Sequence, residues 1–263
     1  MSRQAHLIGS IGLENAETAM TKAAEILGPC CSRIPDGETG GRGYWIRWQQ
    51  STFDNCKDLQ EGMVQEALPG FKDSVRRPFY KIKQGVSPSD IELGDLGYAK
   101  EALSSYQIFS RLVTEEKISS DVRFQVSIPT PMALVCGFIM AEDQLNVEPA
   151  IESAMIKDVA QIQAEIPPDH LTIQWDVCYE VVGSDGGPKL PYDNCIPGTV
   201  ERLTRLCGSI DDRVELVIHL CYGDPGHQHI VDPVDLGTSV EFANNICAAS
   251  PRLINAVHMP VMR

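Results

Sequence analysis

Short apolar runs recur along this chain, each ending in a polar or ionisable residue at a turn, with helix-patterned segments between them. The runs are His6–Ile11, Cys30–Ile34, Val122–Ile128, Leu171–Asp176, Glu215–Cys221 and Leu253–His258. Strands separated by helices are the signature of parallel βα units. The strand ends carry Ser10, Asp36 and Glu38, Thr130, Asp176, His219 and Cys221, and His258. A doubly wound sheet gathers its site mainly at one switch point, whereas a barrel gathers it from the carboxyl end of every strand. The pattern therefore predicts an α/β chain of the (β/α)8 TIM-barrel type. A single domain over residues 1–263 is expected, a length that suits one such barrel.

The helical segments follow from their apolar spacing. They are expected at about Glu14–Leu27, Tyr44–Thr52, Leu96–Glu116, Met132–Ala141, Glu148–Glu165, Thr199–Cys207 and Val234–Ala248, the last capped by Asp232-Pro233. Residues Cys56–Gly97 break the rhythm and form an irregular excursion, in which Arg77–Lys83 alternates like an exposed strand. The aromatic set Tyr44, Trp45 and Trp48 is assigned to the core. Only six strands are found, about two βα units short of a closed barrel, which leaves two unpaired edges. If the chain is naturally this short, those edges are expected to be covered by a second copy or by the excursion. If it is a fragment, it is expected to be poorly soluble.

The formal net charge of −14 argues against nucleic acid and anionic membranes as partners. A small molecule is the expected partner. No secretory signal and no span-length apolar run is seen, and the nine cysteines are odd in number. A cytoplasmic protein with reduced thiols, most of them small core residues, is expected.

In a strand, residues two apart face one side, so His219 and Cys221 present an imidazole and a thiol together. That pair suits zinc, and the competing reading is a packed histidine and a buried cysteine. His258 is the third ligand candidate, or else supports one through a hydrogen bond. His227 and His229 form a second H-x-H pair, read as solvent-facing. Asp176 is the functional carboxylate candidate, against a structural salt bridge. Asp36 and Glu38 form an acid–base pair, bind an ammonium, or cap the following helix. Arg42 clamps a substrate carboxylate or neutralises Glu38. Cys178 has no identifiable activating base and is read as core or lining.

Taken in order, Ile8-Gly9-Ser10, Ile173-Gln174-x-Asp176 and His219-x-Cys221-Tyr222 resemble the catalytic barrel of cobalamin-independent methionine synthase. Pro35–Gly40, Phe124–Pro131 and His219–Asp224 resemble its stand-alone single-domain homologues, and the likeness runs from about His6 to Pro260. The wider superfamily includes uroporphyrinogen decarboxylase and zinc thiol-alkyl transferases. The resemblance implies a zinc-dependent transfer of a methyl or other alkyl group to or from a small thiol. It implies that Ile8, Gly9 and Ser10 hold an amino-acid-like carboxylate, with Thr130 and Arg42 also substrate-binding, and that Asp176 pairs with the ammonium. It implies zinc ligation by His219 and Cys221. His258 stands where the synthase has a glutamate ligand, Val177-Cys178 replaces Glu-Pro after the aspartate, and no strand supplies a second cysteine ligand. No folate-binding half precedes the barrel, so methionine synthesis from a folate polyglutamate is not expected. The alternatives are a metal-independent lyase, decarboxylase or hydrolase using Asp176 with Asp36 or Glu38, and a degenerate barrel that only binds a partner.

Overall fold

The computed structural model describes residues 4–65, 77–225 and 228–260. Five strands form one curled parallel sheet: β1 (Arg33–Pro35), β4 (Arg123–Pro129), β5 (Leu171–Val177), β6 (Glu215–Leu220) and β7 (Ala256–His258), in the order β1-β4-β5-β6-β7. Helices alternate with them, as parallel crossovers require. These are α1 (Ala16–Leu27), α2 (Gln50–Asp54), α3 (Tyr98–Thr114), α4 (Pro131–Phe138), α5 (Gln144–Glu165), α6 (Tyr179–Ser184), α7 (Cys195–Gly208) and α8 (Gly237–Ala249). The result is an α/β half-barrel. Among the described residues no helix is long and apolar enough to cross a membrane.

Strand alternation separates two environments. Phe124, Val126 and Ile128, then Ile173, Trp175 and Val177, then Leu216, Ile218 and Leu220 are buried in the core with the helices. Phe124 packs against Phe109 and Tyr106 of α3. The intervening residues line the inner face, and apart from Val217 they are polar. At its amino end, Glu215 accepts from Arg33 at 2.6 Å and from Thr172 at 3.0 Å, and lies 3.5 Å from Arg123. Gln125 and Gln174 follow, then Asp176, His219 and His258. Barrel interiors are usually packed with branched apolar side chains. Here they are tied by hydrogen bonds.

Local signals set several boundaries. Asn15 caps α1 by accepting from Thr18 N–H, and Gly28, at φ +48°, closes it. The helix expected from Glu148 begins earlier, at Gln144, because Pro149 forfeits only one ladder donor and Asp143 O takes the N–H groups of Asn146 and Val147. The expected Asp232-Pro233 cap is not used. The helix α8 begins at Gly237, whose N–H is taken by Asp235 at 2.6 Å. Short α6 follows β5 without a breaker and has no counterpart in the expected elements. Only the later part of Tyr44–Thr52 is helical, as a 3-10 turn leading into α2. Trp45 and Trp48 do pack, on Tyr179 and Tyr98, but Tyr44 is exposed with Arg47 over its ring.

The excursion contains an antiparallel hairpin of β2 (Leu59–Gln65) and β3 (Arg77–Ile82). Among the described residues, this hairpin pairs with neither edge strand of the parallel sheet. Its Tyr80 pairs with Ile139 beyond α4 and stacks on Phe53, and Ile82 N–H donates to Asp143. The expected first strand, His6–Ile11, is not a full strand. It runs beside β1 through isolated bridges at Ala5–Cys31 and Ser10–Gly37. The curl brings this segment back toward the other edge, so that the His6 and His258 rings lie 5.5 Å apart. Cys31, Cys56, Cys178 and Cys207 are buried in the core and Cys136, Cys195 and Cys221 pack against it, as expected for most of the nine; Cys30 and Cys247 are exposed.

Glu215 joins three strands through two partly buried arginines. Glu215→Gln should destabilise the chain by about 1–3 kcal/mol, below the range for a fully buried pair because water reaches these side chains. The midpoint of urea unfolding reads this, and an unchanged midpoint would show that the network is solvated and idle.

Candidate functional site

The inner face is organised by two buried amides. Gln174 donates to Ile8 O at 2.6 Å and to Asp176 at 2.8 Å, and its oxygen lies 2.8 Å from His6 Nε2. Gln125 donates to Leu7 O and Ile8 O, and Ser127 donates to Ile8 O at 2.8 Å. The Ile8-Gly9-Ser10 segment is thereby seated over β4 and β5. A Cβ at Gly9 would stand 3.3 Å from Ser127 and 3.4 Å from Glu38, so this close approach favours glycine. Ser10 donates to Glu38 in a short hydrogen bond.

The loop after β1 supplies three of the expected residues, in different roles. Asp36 is fully engaged. It accepts from Arg42 at 2.5 Å, from Ser105 at 2.7 Å and from Glu38 N–H at 3.0 Å. Arg42 is held between Asp36 and Glu101. Glu38 sits in the left-handed region, at φ +48°, a conformation held by these contacts. Burial pushes the Glu38 carboxyl above its usual range, with the Asp36 charge adding to this and the Ser10 hydrogen bond opposing it. Gly9, Asp36, Glu38, Arg42, Tyr98 and Ser127 border a small cleft open to solvent. Asp176, His219 and Cys221 do not line it, and Glu38 links cleft and cluster.

The cluster forms where the strand register pairs Asp176 with His219 and His219 with His258. The Nδ1 atoms of His219 and His258 are 2.8 Å apart. One of them donates and the other accepts. Burial pushes Asp176 up to about 8; the nearby Glu38 charge adds to this, while His219 and the Gln174 hydrogen bond oppose it. For His219, burial favours the neutral ring, but the hydrogen bond and charge of Cys221, with Asp176 and Glu38, outweigh it and raise the imidazole. The hydrogen bond from Cys178 and the proximity of His219 hold the Cys221 thiol well below the usual range, against burial. Burial, with His219 and His6, pushes His258 down to about 4. These directions make His219 the donor and His258 the acceptor of their hydrogen bond.

His6, Gln125, Gln174 and Cys178 join this cluster and were not singled out by chemistry in the sequence. The available signal was parity: His6, Ile8 and Ser10 share one face of an extended segment, as do Gln174, Asp176 and Cys178. His227 lies outside the described residues. His229 lies apart, partly buried beside Tyr222 and 3.4 Å from Asp232.

Two imidazoles and a thiol from neighbouring strand ends are donors of the kind zinc takes. Among the described residues, however, no group of three or more histidine, cysteine, aspartate or glutamate side chains stands arranged to hold a metal ion. The His219 and His258 nitrogens are at hydrogen-bonding separation, so binding would require them to part. Comparison with protein families, curated proteins and solved structures finds no match to this chain.

Thr130 is not brought to the cluster. Its hydroxyl donates to Glu180 at 2.6 Å in a second cleft, lined also by Glu148 and Arg202. The other Glu180 oxygen is buried without a partner. Burial, opposed by the Thr130 hydrogen bond, pushes Glu180 up from 4.5 to about 7. A folded-state value above the unfolded one gives stability that is complete below the unfolded value and lost as pH rises through the folded one. Glu180→Gln should therefore stabilise the chain by on the order of 2–3 kcal/mol at about pH 8 and by little near pH 4. Urea midpoints at both pH values measure this. An equal effect at both would show that Glu180 does not titrate in this window.

Proposed function

We propose that the chain is an enzyme that transfers a methyl or other alkyl group to or from a small thiol. On this reading the half-barrel belongs to the (β/α)8 type and is akin to the catalytic barrel of cobalamin-independent methionine synthase. The observation that carries it is the convergence of His258, His219 and Cys221 at adjoining strand ends, the two histidines at hydrogen-bonding distance, with buried Asp176 and partly buried Glu38 nearby.

His219, Cys221 and His258 would hold zinc. When bound, zinc supplies a positive site at which a substrate thiol becomes a thiolate. The chain's own groups account for orientation. Burial disfavours the Asp176 anion. An incoming ammonium compensates that penalty, so Asp176 becomes the counter-ion of an amino-acid-like substrate. Gln174 holds the Asp176 carboxylate in place, and Ser10 holds Glu38. Gly9 leaves the backbone open to the cleft. Arg42 lines the same cleft, and its longer contact, 3.5 Å to Glu101, is the one a substrate carboxylate would replace.

A second reading dispenses with metal. Burial raises both carboxyls, with the Glu38 charge adding to the rise at Asp176 and the Asp36 charge to that at Glu38. Two such carboxylates can divide acid and base roles in a lyase, decarboxylase or hydrolase. That reading expects turnover that survives chelators and follows a bell-shaped pH profile.

Zinc measured on the full chain after loading and desalting tests the first reading. The expected result is near one zinc per chain, lowered about tenfold or more in His219→Gln and in Cys221→Ser. Wild-type chain that retains no zinc would overturn the transfer mechanism and leave the carboxylate reading.

A further inference from the structure

Cys178 and Cys221 occupy successive positions beyond a register pair of neighbouring parallel strands. Val177 is paired with Leu220, and Cys221 N–H still donates to Val177 O at 3.3 Å, so the ladder runs one residue further. Neighbouring strands lie about 4.8 Å apart, within the Cα window of about 4.4–6.8 Å that a disulfide needs. Both residues share the parity of Asp176 and His219, and the two sulfurs lie within interaction range of each other. Neither is in a disulfide in this structure. Their exposure differs: Cys221 is partly exposed and Cys178 is 2% exposed. Gly223 closes over the pair, where an added Cβ would stand 3.5 Å from Cys178 Sγ.

We infer that Cys178 and Cys221 form a peroxide-responsive dithiol, in which Cys221 is the residue attacked first and Cys178 resolves it as an intramolecular disulfide. The Cys221 sulfur, the more exposed of the two, gives up its proton and attacks one oxygen of hydrogen peroxide. The O–O bond breaks, hydroxide leaves, and Cys221 becomes a sulfenic acid. The Cys178 thiol then attacks the Cys221 sulfur. The S–S bond forms, the S–O bond breaks, and the hydroxyl departs with the Cys178 proton as water. Two thiols lose two electrons and two protons, and one peroxide becomes two waters.

Formation of this bond does not depend on the function proposed above. Its consequence does: the disulfide would take the Cys221 sulfur out of the zinc-binding set, so oxidation would switch the site off. The two claims separate experimentally, since bond mapping reads the first and zinc retention the second.

The test treats the full chain with hydrogen peroxide, alkylates it under denaturing conditions and maps peptides by mass spectrometry. The expected result is loss of two of the nine alkylatable thiols, a peptide linking Cys178 to Cys221, and full return of both thiols on reduction with dithiothreitol. In Cys178→Ser, the expected result is a Cys221 sulfenic acid that accumulates and is captured by dimedone. Exposed Cys30 and Cys247 are the internal comparison. The inference is overturned if Cys178 and Cys221 both stay alkylatable while Cys30 or Cys247 oxidise. It is equally overturned if wild-type Cys221 passes to sulfinic acid with Cys178 unchanged. Wild-type mapping decides the matter even where the serine variant does not fold.

Discussion

The primary amide of Gln174 holds the inner face together. It donates to Ile8 O and to Asp176, and its oxygen lies within hydrogen-bonding distance of His6 and of the Gln125 amide. This matters because the sheet is weak at its margins. Strands β1 and β7 are only three residues long, and the N-terminal segment joins the sheet through isolated bridges. Side-chain amides do there what ladder hydrogen bonds do in the centre. A buried amide left without partners is costly, so the network specifies one arrangement of segment against sheet. It also orients Asp176, and so couples the fold to the chemistry.

The same polar interior explains how several ionisable groups coexist out of water. A single buried charge is strongly disfavoured, while a close pair of opposite charges is tolerated. The shifts obey this. Cys221 is drawn toward thiolate and His219 toward imidazolium, whereas burial pushes Asp176 toward its acid and His258 toward its neutral ring. Such a site favours an arriving cation, because a positive charge offsets the burial that raises Asp176 and Glu38.

Much of the frame was legible in the sequence. The runs around Phe124, Ile173 and Leu216 announce central strands because both faces are buried or filled. Their polar ends announce the site. The edges were less legible, because His6–Ile11 is held by glutamine side chains from other strands, which no local pattern reveals. Asp36 and Glu38 look alike in sequence. Only the fold shows that Asp36 is consumed by Arg42 and Ser105 while Glu38 reaches the cluster. Thr130 sits at a strand end like the others, yet turns to Glu180 because Pro131 starts a helix immediately after it. Cys178 was passed over because its partner lies 43 residues away, on the next strand.

The central claim is that His219, Cys221 and His258 act together as a binding set for a soft divalent ion. Cobalt(II) titration followed by absorbance tests this directly, since a thiolate on cobalt gives a near-ultraviolet charge-transfer band that nitrogen and oxygen donors do not. The account predicts a band that saturates near one equivalent in the full chain and is absent in Cys221→Ser. A cobalt spectrum with no thiolate band, unchanged by that substitution, would contradict it.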